Sequence, residues 1–136
     1  MVAALILIVD DYEDALLMYE DFLTFKGFHV ITAKSGAEAL ALAQAHKPQL
    51  ILMDIEMPRM SGTEAMLTLR ADSAFDQVPI IAFTAHALEF EQRAARNAGF
   101  DEVIAKPCLL DELFVAIERL LATPRSGSKR LLEGEN

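Results

Sequence analysis

The chain has 136 residues and a net charge of −9. That length suits one domain with its own core, and the acidic balance lacks the clustered Lys and Arg that a direct nucleic-acid binder needs. Hydrophobic residues make up 53% of the sequence, but the apolar runs are four to six residues long, too short to insert into a membrane as a helix. Cys108 is the single cysteine, which excludes an internal disulfide and agrees with a cytoplasmic location.

The first apolar run, LILIVDD at residues 5–11, is stopped by Asp10 and Asp11. It has no basic leader and no small-residue cleavage pattern, so it is expected to be a strand rather than a signal peptide. Ala15, Leu16, Tyr19, Phe22 and Leu23 then recur at helical spacing, with Gly27 placed as a C-terminal cap. Residues 28–33, FHVITA, read as the second strand. Ser35 and Glu38 form a capping-box pattern that opens an alanine-rich helix running toward His46 and stopped by Pro48. The third strand, LILMD, closes on Asp54.

After the irregular segment IEMPRM, Ser61 and Glu64 form a second capping box for a helix that carries Met66 and Leu69 inward. The fourth strand, PIIAFT, ends on Thr84. A helix is expected from about residue 86 to 98, with Ala87, Ala94, Ala95 and Ala98 facing in and Gly99 at its end; so small an apolar face anchors it lightly. The fifth strand, DEVIAKP, reaches Lys106 and Pro107. Asp111 and Glu112 then open a helix with Leu113, Ile117, Leu120 and Leu121 on one face. From Thr123 the sequence turns polar, so residues 1–122 are expected to form the domain and 123–136 a tail or linker, with Lys129 and Arg130 solvated in it.

Alternating strands and helices predict an α/β doubly wound parallel sheet with helices on both faces. In such a sheet ligands bind outside the carboxyl ends of the strands, where Asp10, Asp11, Asp54, Thr84 and Lys106 would meet. Three carboxylates brought together repel one another, and a hard cation relieves this; all-oxygen ligands favour Mg²⁺ or Mn²⁺. A free carboxylate oxygen would attack phosphorus, Thr84 would hydrogen-bond the phosphoryl oxygens, and Lys106 would balance their charge.

On these motifs, with MDIEMPRMSG around Asp54, the chain resembles the receiver domain of two-component response regulators over residues 4–121. The resemblance implies the flavodoxin-like strand order 2-1-3-4-5 and makes Asp54 the phosphoacceptor. Asp11, Asp54 and the backbone carbonyl of Glu56 would bind magnesium, with Asp10 assisting through water. Lys106 and the Ala85 backbone N–H would contact the phosphoryl group, and the Lys106–Pro107 bond would be cis. The donor would be a histidine kinase or a histidine phosphotransfer protein, and a downstream protein target would read the result. Such a protein is not a turnover enzyme but a signalling phosphoacceptor that catalyses its own phosphorylation and dephosphorylation.

Glu56 and His86 occupy positions that in this family flank the path of hydrolytic water, so both are expected to tune phosphoryl lifetime. Glu56 is expected to crowd that path, or else to reach Lys106 or the metal. Where many receivers carry an aromatic switch residue the chain has Val103; Thr84 would then switch without it, and the outer face of the fifth strand would be smoother.

Two alternatives stand beside this reading: a pseudo-receiver adaptor that binds partners without phosphate, and a haloacid-dehalogenase-like phosphohydrolase. The second fits less well, because its nucleophile would follow the first strand with another aspartate two residues on. His29 and His46 are expected to be surface residues. Cys108, the methionines at 53, 57, 60 and 66, and Phe83, Phe90 and Phe100 are expected to be packing residues.

Overall fold

The computed structural model describes residues 3–123. Five strands, β1 (Leu5–Val9), β2 (His29–Ala33), β3 (Leu50–Asp54), β4 (Ile80–Thr84) and β5 (Glu102–Ala105), alternate with five α-helices. These are α1 (Glu13–Phe25), α2 (Gly36–His46), α3 (Gly62–Arg70), α4 (Glu89–Ala98) and α5 (Leu110–Ala122). All strand pairings are parallel, in the order β2-β1-β3-β4-β5. This is the flavodoxin-like order expected from the sequence. The tail beyond Thr123, with Lys129 and Arg130, lies outside the described residues.

Each central strand buries both faces because successive side chains point to opposite sides of the sheet. Leu7, Val9, Ile51, Met53, Ile80 and Ala82 pack with α2 and α3, whereas Ile6, Ile8, Leu50, Leu52, Ile81 and Phe83 pack with α1 and α5. Tyr19 stacks on Phe83 with centroids 5.1 Å apart, tying α1 to the strand that ends at Thr84. The helix stripes read from the sequence hold, with Leu16, Tyr19 and Leu23 buried from α1 and Leu113 and Ile117 from α5.

Helix starts follow the capping logic. Ser61 and Glu64 form a complete reciprocal box at α3. At α2 the Ser35 hydroxyl accepts from the Glu38 N–H, but the Glu38 carboxylate reaches the N–H of Lys34 rather than closing on Ser35. The fourth helix starts at Glu89, three residues later than expected. His86 stays outside it, its backbone N–H donating to the Thr84 hydroxyl, and Leu88 sits in an extended N-cap conformation. No side chain of α4 is fully buried, so its alanines anchor it as lightly as expected.

A short 3₁₀ turn, Ser73–Phe75, was not foreseen; it carries Phe75 into the core. Beside it Arg70 joins separate segments: its guanidinium donates to the carbonyls of Phe75, Val78 and Gly99 and pairs with Asp101 at 2.7 Å. Asp101 in turn accepts from the Ile80 N–H where β4 begins.

Candidate functional site

The strand order explains the site. Placing β1 beside β3 brings the residue after β1, Asp10, next to the residue closing β3, Asp54, and both are almost fully buried. Asp11 follows on the exposed side. Each of these three aspartates offers a carboxylate oxygen, all within 4.8 Å of one another.

Lys106 enters from the far edge. Its backbone N–H donates to the Thr84 carbonyl at 2.9 Å, and the Lys106–Pro107 peptide is cis. Its long side chain reaches back over the sheet edge to Asp10 Oδ2 at 2.9 Å and Asp54 Oδ2 at 3.3 Å. The other oxygens are committed locally, since Asp10 Oδ1 accepts from the Tyr12 N–H and Asp54 Oδ1 from the Glu56 N–H.

The electrostatics follow from burial among acids. Desolvation is the largest influence on Asp54; Lys106 opposes it and the charges of Asp10 and Glu56 add to it, so the carboxyl is pushed up to about 7. Burial acts to lower the Lys106 ammonium, but its bonds to Asp10 and Asp54 outweigh this and the net shift is upward. Lys106 therefore stays charged. One ammonium balances only part of the three-carboxylate cluster, and a hard divalent cation fits the all-oxygen donor set.

Thr84 lies buried at the end of β4. Its hydroxyl donates to Glu56 Oε2 at 2.7 Å, while Glu56 Oε1 accepts from the Ala85 N–H at 3.1 Å. The Glu56 carboxylate thus reaches neither of the alternatives expected for it, Lys106 or the metal position; it bridges to the end of β4. Next to it opens a cleft of about 470 Å³ lined by Glu56, Thr84, His86, Val103 and the alanines of α4.

The start of α3 is pressed against the end of β3. The Gly62 N–H donates to the Ile55 carbonyl, and a Cβ on Gly62 would stand 2.1 Å from the Asp54 carbonyl oxygen. The glycine is required there for close approach, not for an unusual φ.

The family model of the response regulator receiver domain matches residues 6–118. The chain belongs to the response regulator receiver family. It is 35% identical over 121 residues to the polar-differentiation response regulator DivK of Brucella ovis, covering 89% of this chain and 93% of that protein. Its fold is similar to the chemotaxis protein CheY4 of Vibrio cholerae, with a TM-score of 0.83, 29% identity, and coverage of 88% of this chain and 99% of that one. It is also similar to the receiver domain of the sensor histidine kinase PA1611 of Pseudomonas aeruginosa. That comparison gives a TM-score of 0.82, 30% identity, and coverage of 90% and 100%; that structure has a magnesium ion coordinated in its active-site cleft.

Two sequence expectations for this receiver domain are corrected. Val103 does not smooth the outer face of β5: it is 8% exposed and packs into the cluster shared with α2 and α3, beside Ala95 of α4, while its neighbour Glu102 lies within reach of α4 and α5. Arg96 and Arg119 both bind the Glu102 carboxylate, so that face carries an ion-pair network. Phe90 is not a packing residue, being 66% exposed on α4, whereas Phe83 and Phe100 are buried.

The remaining side chains fall as expected: His29 and His46 are exposed, Met53, Met57 and Met66 are buried, and Met60 packs against them. Cys108 is half-buried, and burial pushes its thiol up, away from thiolate reactivity. Among the described residues no helix is long and apolar enough to cross a membrane. The contact that sequence reasoning missed is Glu56 to Thr84. Its signal was present as a carboxylate two residues past Asp54, but pairing across 28 positions depends on β3 lying beside β4.

Proposed function

We propose that this receiver domain accepts a phosphoryl group on Asp54 from a phosphohistidine of a histidine kinase or phosphotransfer protein, and passes the signal on through protein contacts. The observation that carries this is the buried Asp54 carboxylate, flanked by two further acids and held by Lys106. A carboxylate oxygen of Asp54 attacks phosphorus as the P–N bond breaks and its electron pair returns to the imidazole. Lys106 already faces Asp54 Oδ2, so its charge offsets the charge on the transferring group. The Thr84 hydroxyl and the Ala85 N–H are the donors for the phosphoryl oxygens.

Asp10, Asp11, Asp54 and the Glu56 backbone carbonyl would hold Mg²⁺ or Mn²⁺. Bound there, the cation supplies charge neutralisation for the acids and the transferring group. His86, exposed beside Thr84, and Glu56 tune how long the phosphoryl group survives by controlling access of water. The chain drives its own phosphorylation and its loss without acting as a turnover enzyme, and residues 1–122 constitute the working domain. The setting is cytoplasmic, where phosphohistidine donors operate.

The test is intact mass after incubation with acetyl phosphate and Mg²⁺. The expected result is one phosphoryl adduct in the wild type, lost in Asp54→Asn and lost on adding EDTA. A folded wild type that takes no adduct, from acetyl phosphate or from a phosphohistidine donor, would transfer the case to the adaptor that binds without phosphate.

A further inference from the structure

The Thr84 hydroxyl carries a single proton. It is given to Glu56 Oε2 at 2.7 Å in preference to the longer 3.2 Å contact with the His86 carbonyl, and the neighbouring Ala85 N–H points to the other oxygen of the same carboxylate. An O–H and an N–H converging on the two oxygens of one anionic group form a small anion receptor, and charge-assisted bonds of this kind are the strong ones. The proposed phosphoacceptor chemistry assigns these same two donors to the phosphoryl oxygens. They cannot serve both anions at once.

We propose that Glu56 is an intramolecular occupant of the phosphoryl subsite. Its carboxylate stands in for the phosphoryl group in the unmodified protein and must leave Thr84 and Ala85 before a phosphoryl group can be held there. This rests on the Asp54 phosphoacceptor reading and adds two consequences. First, the occupant competes with phosphorylation, so small phosphodonors react more slowly with the wild type than with a chain lacking the Glu56 carboxylate. Second, Thr84 is already drawn toward Glu56 before any phosphate arrives, so the rearrangement at the end of β4 is smaller than if the hydroxyl were free. The swap is open to solvent because Glu56 is exposed and its side chain can turn out through the adjoining cleft.

The test uses the full chain with Glu56→Ala, a change at an exposed position that leaves the core untouched. Beryllofluoride, a non-covalent phosphoryl mimic, is titrated in Mg²⁺ against both proteins, and backbone amide NMR is recorded without metal or anion. Displacement of a charge-assisted bond predicts beryllofluoride binding about tenfold tighter in the variant. The Ala85 amide of the anion-free variant should move upfield and exchange faster, as a lost hydrogen bond requires. Equal affinity in the two proteins, or an Ala85 amide that does not change, overturns the occupant. Absence of beryllofluoride binding in both overturns the phosphoacceptor reading and the occupant together, and Asp54→Asn distinguishes that outcome from a weak but genuine site.

Discussion

The Asp54 carboxyl is the residue whose protonation most directly links chemistry to stability. Its folded value of about 7 lies above an ordinary 3.8, because burial among acids disfavours the charge. The stability contributed by the neutral form is present in full below the unfolded value and is lost by the time pH passes the folded one. Metal-free protein should therefore unfold more easily at about pH 8 than at about pH 5, and Asp54→Asn should remove that component; urea melts in EDTA measure it. Parallel pH curves for the two proteins would refute the assignment. Gly62 sets a steric limit at the same strand end. With a Cβ only 2.1 Å from the Asp54 carbonyl oxygen, Gly62→Ala should cost about 1–3 kcal/mol or more and slow phosphoryl uptake, read by denaturation and by adduct formation.

Among the elements, α3 and α4 make opposite bargains with the sheet. The first buries Ala65, Met66 and Leu69, whereas α4 buries none of its side chains completely. Amide hydrogen exchange should accordingly be faster in α4 than in α3, since local opening follows the amount of buried apolar contact. Equal protection would show that the Arg96 pair with Glu102 holds α4 down more firmly than burial implies. Arg70 fastens the end of α3 to the 3₁₀ turn, the start of β4 and the end of α4. Its pair with Asp101 is shielded from solvent, so Arg70→Ala should destabilise by about 3–5 kcal/mol in urea unfolding while leaving the distant acid cluster competent for metal.

For the whole molecule, the uncompensated acids at one sheet edge make folding sensitive to a divalent cation, because a ligand that binds only the folded state stabilises it by mass action. At a Mg²⁺ concentration about a hundredfold above its dissociation constant the gain would be about 2.7 kcal/mol. Asp11 is exposed, so Asp11→Ala should change metal-free stability by no more than about 0.5 kcal/mol while greatly reducing the Mg²⁺ gain. Thermal melts with and without the ion decide this. On the proposed reading, phosphorylation would act as any differential ligand does, biasing two arrangements of the β4 end and α4 rather than creating a new one. With Val103 already packed inward, the change proposed would fall to Thr84 and the loosely held helix.

By itself the sequence determined the order of elements, the parallel sheet and the polar residues at its carboxyl edge, because hydrophobic period, caps and strand ends are local properties written in consecutive residues. Motif order also identified Asp54 and Lys106, although they lie 52 positions apart. Tertiary structure alone decided what those residues touch. The β1–β3 and β3–β4 pairings bring Asp10 to Asp54 and Glu56 to Thr84, contacts between segments distant in sequence. It also decided which way single side chains turn: Val103 inward, where an outward face had been expected, and Phe90 outward, where packing had been expected. A hydrophobic residue at the end of a light helix or on a short strand has no local signal for its direction. That direction is set by how the element sits against the sheet, which is decided by packing with segments distant in sequence.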